Sequence, residues 1–500
     1  MIENKIKNAF QSVLAPSVYS ELEIKMFFGS GWVLLTQLGI QLVSFTKSIV
    51  LARLLTPQDF GIFGIALIIF SVLQTVGQLG VSSALIHRQN VSRDDLNNAW
   101  SIQLIRGSVF ALILLLLAPV LSNYYQDYVF VWIMILLAIT VFVQGLSNIG
   151  LVVYQVQIDY RNIFAINVIS LTLDILVSIW IAVTFHSVLA LSFGLLINSI
   201  AITLLSFVVH PFRPRLQFSR TGYRSLLSYG KWIWSGQIVV FLITEGDDVL
   251  VAVLIGPVSL GYYRMSYFIS NLPATQLTNT LGQVSFSAFS KVSSDLQQLR
   301  RVFLRTLERI SYLTIPLSFG IFLLLPEFVN IVLGENWQPV IPVAQILVLW
   351  GALRSIGSTT APLFQAVNQS KLVSYIGLLQ LLVLFTIVFP LLKQYALSGV
   401  ALAVVISGLV QVPLSLAAAQ KIARFHWSKL ILPLGKPLIG SSLMFLALQE
   451  LKTSYWAVDS LLEIVLIACV GLVLYVFVMQ LFQYGGISLK RIFSIRQPIV

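Results

Sequence analysis

Long apolar runs alternate with short polar segments along most of the chain, and each run is long enough to cross a bilayer. A membrane-crossing helix needs about 20 apolar residues, and the chain offers fourteen such stretches. Their continuity favours helices, because a transmembrane strand needs only about ten residues and alternates in polarity. The predicted spans run near 29–55, 60–86, 99–121, 128–151, 164–185, 189–209, 232–255, 259–289, 312–333, 340–367, 372–392, 397–419, 431–449 and 459–483.

The composition makes a bilayer the only solvent that suits this chain. Of its 500 residues, 57% are hydrophobic and 10% are charged, and the mean hydropathy is +0.90. A soluble domain carries roughly 25% charged residues, so soluble multidomain proteins, disordered proteins and nucleic-acid binders are excluded. Cys469 is the only cysteine, which rules out an internal disulfide.

The placement of basic residues predicts the orientation in the membrane. With the N-terminus inside, cytoplasmic segments hold most of the 31 lysines and arginines. The outer segments hold only Arg53, Lys393 and Lys452. This asymmetry follows the positive-inside rule and explains the net charge of +12 without a nucleic-acid partner. Residues 1–28 and 484–500 are therefore predicted to be cytoplasmic, the first either solvated or lying on the membrane surface.

An internal repeat relates two parts of the chain at an offset of about 200 residues. The segment from Leu54 to Gly61 matches the segment from Leu254 to Gly261, with a proline and a glycine at equivalent positions. Both copies start on the same membrane side, so the repeats are parallel. The predicted fold is an all-α polytopic membrane protein of 14 helices with two six-helix lobes in pseudo-twofold repeat. The predicted segments are an N-lobe (29–209), a basic linker (210–231), a C-lobe (232–419) and two C-terminal helices (420–483).

Two lobes about such an axis enclose a cavity, which suits transport by alternating access. A charge at the bilayer centre costs about 2.5–3.5 kcal/mol, so polar residues inside the spans are candidates to line that cavity. The substrate-binding candidates are Lys47, Arg354, Arg264, Arg106, Gln37, Gln41, Asn271, Gln276 and Asn279. The candidates for ion coupling or for a latch between the lobes are Asp247, Asp248, Glu245 and Asp174.

Several of these residues have two interpretations from the sequence alone. Lys47 either binds an anionic ligand or pairs with Asp247 or Asp248 across the lobe interface. Arg354 favours ligand binding, because no acidic residue lies in its own span and guanidinium binds phosphate through two parallel hydrogen bonds.

Other charged candidates lie where a structural role competes with function. Arg264 and Arg106 lie near helix ends, where their side chains can reach the lipid headgroups. Asp174 is either a proton or cation site or a hydrogen-bonded structural residue.

Signatures of enzymes are absent from the sequence. It contains no phosphate-binding G-x-x-x-x-G-K-[ST] loop and no His or Cys spacing typical of a metal site. The predicted outer loops are too short for a catalytic domain. The sequence therefore predicts a protein that is not an enzyme and needs neither cofactor nor metal.

Three motifs resemble a known family of exporters. The run from Leu51 to Ala66 resembles the first outer turn of Wzx-type polysaccharide flippases, which belong to the multidrug/oligosaccharidyl-lipid/polysaccharide (MOP) exporter superfamily. Asp247 with the turn at 254–262, and 333–337 leading into 346–354, resemble the second lobe. One departure is Ala252-Val253, where a basic residue is common in the family; its repeat counterpart Arg53 is present.

The resemblance implies two six-helix lobes with two further helices, and export of a lipid-pyrophosphate-linked oligosaccharide. We therefore expect a monomeric flippase of the bacterial inner membrane for undecaprenyl-pyrophosphate-linked saccharides, working beside a polysaccharide polymerase or export machinery. The alternatives are a peptidoglycan-precursor (lipid II-type) flippase and a multidrug antiporter of the same superfamily. Outside that class, a membrane glycan polymerase or ligase would need a long outer loop.

Overall fold

A computed structural model describes residues 21–77, 85, 92–157, 159–217, 241–271, 285–286, 288–454, 456 and 458–484. Over these ranges the regular structure is entirely helical, as the apolar runs predict. Ten helices in the described part are long and apolar enough to cross a membrane. The count of fourteen stays a prediction, because the segments 218–240 and 272–284 lie outside the described residues.

Contacts between Cα atoms divide the chain into two compact units. The first unit contains residues 1–50 and 76–234, and the second contains 51–75 and 235–500. The segment 51–75 therefore packs with the second unit, although it lies inside the predicted N-lobe. This difference has a local cause, because the outer turn at Pro57 packs directly on its repeat copy at Pro257.

Seven helices lie in the described residues from 21 to 209, and all of them except α2 belong mainly to the first unit. They are α1 (Glu21–Leu54), α2 (Pro57–Val76), α3 (Arg93–Tyr125), α4 (Val129–Leu146), α5 (Leu151–Val156), α6 (Arg161–Phe185) and α7 (Leu189–Val209). Ser92 and Asp95 begin α3 with a capping box, in which each side chain binds the other residue's backbone. Gly107 and Gly145 allow α3 and α4 to pack closely, since a Cβ on Gly107 would lie 3.0 Å from the Gly145 Cα.

The described part of the second unit adds one short α-helix, Ser428–Leu430, and nine longer α-helices. They are α8 (241–254), α9 (Pro257–Ser270), α10 (Leu296–Phe328), α11 (Val340–Gly357), α12 (Thr360–Ala366), α13 and α14 (both within Lys371–Ala423), α15 (Lys436–Ser454) and α16 (Leu461–Tyr484). A π-helical turn, Val329–Leu333, extends α10, and a short 3-10 helix, Glu335–Trp337, follows it.

The stretch Lys371–Ala423 shows how one long apolar run becomes two crossings. It has 53 residues, which as one helix would measure about 80 Å against a hydrocarbon core of about 30 Å. The helical path breaks at Ala396, whose φ is 49° and ψ is −130°. Gly399 then packs on the carbonyl of Leu391, where a side chain has no room. The two helices agree with the predicted spans 372–392 and 397–419.

Large apolar side chains cover much of the helix surface. Leu116, Trp180, Leu382 and Val473 are each more than 60% exposed, and many others lie on the same helix faces. A soluble protein rarely exposes a continuous apolar surface of this extent. Together with the ten long apolar helices, this surface identifies a multi-pass membrane protein.

Candidate functional site

A buried ion pair lies at the centre of the first unit. The Nζ of Lys47, on α1, lies 2.5 Å from Oδ1 of Asp174, on α6. Ser178, one turn further along α6, donates its hydroxyl to the same oxygen at 3.0 Å. The side chains of Lys47 and Asp174 are only 13% and 5% exposed. Gly194 of α7 closes the site, because a Cβ there would overlap both Asp174 and Ser178.

This pair gives Lys47 a partner that the sequence analysis did not propose for it. Sequence reasoning named Asp247 or Asp248, whereas the structure pairs Lys47 with Asp174 inside the first unit. Asp174 is suited to the role, since it lies on a buried strip of α6 with Ser170 and Ser178. The hydrogen-bonded interpretation of Asp174 is the one observed, and the latch from Lys47 to Asp247 or Asp248 between the predicted lobes stays a prediction.

A larger charge cluster occupies the second unit, where α8 meets α9. Tyr263 donates its hydroxyl to Oδ2 of Asp247 at 2.6 Å. The Nε of Arg264 lies 3.1 Å from Oδ2 of Asp248, and its Nη2 lies 3.7 Å from Oε2 of Glu245. Arg264 also donates from Nη1 to the carbonyl of Gly64 on α2, at 3.0 Å. Of the three carboxylates, those of Asp248 and Glu245 pair with the guanidinium of Arg264, and that of Asp247 accepts from the phenol of Tyr263.

These contacts give Arg264 partners within the protein that the sequence did not indicate. The guanidinium of Arg264 contacts two carboxylates and a backbone carbonyl, all within the second unit. A planar guanidinium can make such contacts simultaneously because its five N–H donors are fixed in one plane.

Arg354 on α11 is in a different situation from the other membrane cations. Its Nη1 lies 3.3 Å from the hydroxyl of Tyr267, which also accepts from the indole of Trp350 at 3.3 Å. Within the described part of the chain, no carboxylate makes an ion pair with Arg354. Arg354 is half-buried, and none of the described carboxylates neutralises its charge.

Arg106 lies within α3, and its guanidinium contacts the chain directly after α2. Its Nη1 donates to the carbonyl of Gly77, directly after α2, at 2.9 Å. Its Nε is buried without a hydrogen-bond partner among the described residues. The contact satisfies one of the carbonyls that the end of α2 leaves without a partner inside the helix.

The polar candidates fall into three groups. Gln37 is exposed and Gln41 is half-buried on α1. Asn271 is buried at the end of α9 and donates its amide to the carbonyl of Tyr267 at 3.2 Å. Gln276 and Asn279 lie outside the described residues.

The two repeated turns, 57–61 and 257–261, contact each other reciprocally. A Cβ on Gly61 would overlap the carbonyl of Pro257, and a Cβ on Gly261 would overlap the carbonyl of Pro57. Each residue of one copy therefore contacts the equivalent partner in the other copy, as in an isologous interface about a two-fold axis. The repeat offset could have predicted this contact from the shared glycine and proline.

Trp337 contacts residues beside both turns and stabilises their packing. Its side chain is 1% exposed, and its indole donates to the carbonyl of Ala52 at 2.8 Å. Its ring meets Phe60 and Tyr262 edge-on, with centroids 5.2 and 6.2 Å apart. Arg53 adds hydrogen bonds to carbonyls at the end of the π-helical turn.

Sequence reasoning missed the aromatic residues of both sites. Tyr263 and Tyr267 place their hydroxyls on a charged side chain, Trp337 donates to a backbone carbonyl, and Trp350 donates to the hydroxyl of Tyr267. An aromatic residue in an apolar run carries no signal of this role. Its spacing from a nearby charge, such as Tyr263 beside Arg264, is the only hint that the chain offers.

Residues 50–342 match the family model described as "Polysaccharide biosynthesis protein", which is more than half of the chain. The chain belongs to the polysaccharide biosynthesis protein family. The family match includes the repeated turns, Asp174, the α8–α9 cluster and Trp337, whereas Lys47 and Arg354 lie just outside it.

The chain is similar along much of its length to proteins of this family and fold. It is 26% identical over 349 residues to the lipopolysaccharide biosynthesis protein WzxC of Escherichia coli, covering 69% of this chain and 70% of WzxC. It is 20% identical over 350 residues to the succinoglycan biosynthesis transport protein ExoT of Rhizobium meliloti, covering 70% of this chain and 71% of ExoT.

A solved structure shares the fold of this chain along almost its whole length. The lipid II flippase MurJ, in an inward closed conformation, superposes with a TM-score of 0.71 at 16% identity. The superposition covers 93% of this chain and 99% of MurJ. The family match and the similarity to WzxC confirm the resemblance to Wzx-type flippases, and the superposition on MurJ shows that the fold is shared.

Proposed function

We propose that this protein is a flippase that moves saccharide repeat units, linked to undecaprenyl pyrophosphate, from the inner to the outer leaflet of the bacterial inner membrane. The product would supply surface or exopolysaccharide synthesis. Membership of the polysaccharide biosynthesis family and the names of WzxC and ExoT support this assignment. We further propose that the protein is monomeric and that both of its termini lie in the cytoplasm.

The observation that carries the proposal is the uncompensated charge of Arg354. Lys47 has Asp174, and Arg264 has Asp248 and Glu245. Arg354 has only the Tyr267 hydroxyl among the described residues. Because an ionised group inside the bilayer costs about 2.5–3.5 kcal/mol, an uncompensated guanidinium there is a functional candidate. Its fork suits a pyrophosphate, which accepts two parallel hydrogen bonds.

Lys47 is proposed as a second cation for the same anion. An ammonium has three donors, and the structure assigns one of them to Asp174. An incoming pyrophosphate would compete with Asp174 for this charge, which gives Asp174 a role in releasing the ligand. Gln37 and Gln41, which lie one helical turn apart on one face of α1, are proposed to contact saccharide hydroxyls.

The proposed transport cycle is alternating access by the two predicted six-helix lobes. The reciprocal packing of Gly61 and Gly261 on Pro257 and Pro57, fastened by Trp337, supports a closed outer end in this conformation. These turns would separate when the saccharide is released on the outer side. No chemical bond changes in this cycle, so no catalytic residue or cofactor is proposed.

The direct test is flipping by the purified full-length protein in proteoliposomes. The substrates are an undecaprenyl-pyrophosphate-linked oligosaccharide, lipid II and a cationic drug, each followed by a leaflet-resolved assay with and without an imposed voltage. We expect the lipid-linked oligosaccharide to flip and the drug not to move. Preferential movement of lipid II or the drug would favour the corresponding alternative, and elongation of the glycan would favour a polymerase.

A pair of variants separates binding from folding in the same assay. We expect Arg354→Ala to lower flipping and Arg354→Lys to retain part of it, since lysine keeps the charge and loses the fork. Arg213→Ala, at an exposed position outside the helices, is the matched control. Wild-type flipping by Arg354→Ala would overturn the proposed role of this residue.

A further inference from the structure

One end of the second unit is held together by an apolar cluster drawn from several distant segments. Its fully buried members include Phe289, Phe303, Leu307 and Leu363, and Phe425 and Leu430 pack against them. The segments 285–309 and 419–437 therefore converge at the same end of the unit. Their charged residues must lie close together in space, although about 120 residues separate them in sequence.

The charges brought together there are almost all positive. The acidic residues of the two segments are Asp295 and Glu308. The basic residues are Lys291, Arg300, Arg301, Arg305, Arg309, Lys421, Arg424, Lys429 and Lys436. This end of the unit therefore carries a strong positive surplus that the segments themselves do not neutralise.

Three of these arginines form a stripe along one face of α10. Arg301, Arg305 and Arg309 are spaced four residues apart and exposed, so they lie on one helix face. The opposite face is fixed in the core, where Leu299, Phe303 and Leu307 are 2% exposed or less. Within the described residues, no carboxylate makes an ion pair with the stripe. The stripe is thus a cationic edge, and one nearby carboxylate, Glu308, cannot neutralise all three arginines.

The length of α10 places the stripe beside the membrane. Leu296–Leu333 has 38 residues, about 57 Å as a helix, whereas the hydrocarbon core is about 30 Å thick. The apolar residues 310–333 are enough to cross it. Arg309 then lies at the hydrocarbon boundary, Arg305 about 6 Å beyond it and Arg301 about 12 Å beyond it. A headgroup layer is about 5–7 Å deep, so it includes Arg309 and Arg305.

Neighbouring side chains mark the same level. Trp427 is 52% exposed, and Ile431 beyond it is 67% exposed. A half-exposed tryptophan followed by exposed aliphatic residues is typical of the boundary between headgroups and hydrocarbon. The charges of Lys436, Arg305 and Arg309 all act on the carboxyl of Glu308. Three cations near one carboxylate leave a net positive charge at this end of α10.

We propose that Arg305, Arg309 and Lys436 form a binding site for the phosphate of an anionic phospholipid, with Arg301 attracting it from longer range. The occupant is the membrane leaflet that faces this end of α10. Arginine suits the role because its fork can hold two phosphate oxygens. The site is separate from Arg354 and does not depend on the proposed transport function.

The test is lipid binding by the purified full-length protein in a neutral detergent, followed by native mass spectrometry. Phosphatidylglycerol is the probe and phosphatidylcholine is the neutral comparison. We expect the wild type to retain phosphatidylglycerol preferentially. Arg305→Gln and Arg309→Gln should each lower its affinity about fivefold, and Arg301→Gln should lower it less.

Two matched variants keep the result interpretable. The triple change R93Q/R213Q/R215Q removes the same charge from exposed positions of the first unit and should keep the preference. The triple change R301K/R305K/R309K should retain most of it, which shows that the fold tolerates substitution on this face. Equal losses of phosphatidylglycerol binding in R93Q/R213Q/R215Q and R301Q/R305Q/R309Q would show that the preference depends only on total charge, and would overturn the site. Unchanged binding by R301Q/R305Q/R309Q would also overturn it.

Discussion

The two units handle buried charge in opposite ways. In the first unit, Lys47 and Asp174 form a one-to-one pair, sealed by Gly194. In the second unit, Arg264 is shared by Asp248, Glu245 and a backbone carbonyl, while Arg354 has no carboxylate partner among the described residues. The cation of a closed pair must give up its carboxylate before it binds an anion, whereas a cation without a carboxylate partner can receive an anion directly. The difference assigns ligand binding first to the second unit.

The largest expected effect comes from breaking the closed pair. Asp174→Ala leaves a buried ammonium without a partner, and removing one member of a buried pair costs about 3–5 kcal/mol. We expect a lower thermal unfolding temperature in detergent. The double variant Lys47→Met/Asp174→Ala should recover most of the loss. A double variant as unstable as Asp174→Ala would contradict the pairing.

The corresponding change in the second unit should cost less, which sharpens the comparison. Asp248→Ala leaves Arg264 with Glu245 and the Gly64 carbonyl, so its charge stays partly compensated. We expect a loss of unfolding free energy clearly smaller than that of Asp174→Ala in the same assay. An equal or larger loss would mean that Arg264 depends on Asp248 alone, as Lys47 depends on Asp174.

Removing one phenol should have an intermediate effect. Tyr263→Phe deletes the 2.6 Å hydrogen bond to Asp247, leaving that carboxylate with a backbone donor from Asp248. A hydrogen bond to a charged group contributes about 1.5–3 kcal/mol. We expect a stability loss in that range by chemical unfolding. Tyr262→Phe, on the same helix, is the control, and equal effects of the two would argue against a specific role for Tyr263.

The helices and the charges could be predicted from the sequence, but the partners could not. Apolar length located α3, α4, α6 and α7 because each crosses the membrane as one continuous run. The partner of Lys47 depends on how α1 and α6 are rotated against each other, which the apolar pattern does not record. The same holds for Arg264, whose Gly64 contact needs the close approach of α2 and α9.

The smallest expected effect lies outside the membrane-spanning helices. Burial lowers the pKa of His210, with a further contribution from the nearby charge of Arg213. Its Nδ1 accepts the backbone N–H of Phe212 at 3.2 Å, which also favours the neutral ring. The unfolded state therefore binds the proton more readily, so stability is complete above about pH 6.5 and falls as the pH drops through the lowered value.

His210→Gln should flatten this dependence slightly without changing the stability at pH 8. The measurement is thermal unfolding between pH 5 and pH 8 for the two proteins. An unchanged slope in His210→Gln would mean that other groups cause the pH dependence. His426→Gln, at an exposed position, is the matched control.

The central claim is that the guanidinium of Arg354, which has no carboxylate partner among the described residues, holds the pyrophosphate. Equilibrium binding of undecaprenyl pyrophosphate to the purified protein, compared between wild type and Arg354→Gln, tests it most directly. Loss of a charged hydrogen-bond donor predicts a dissociation constant about 10–100-fold higher, with unfolding temperature unchanged. Equal affinities for the two proteins, or an equal weakening by Arg213→Gln, would contradict the claim.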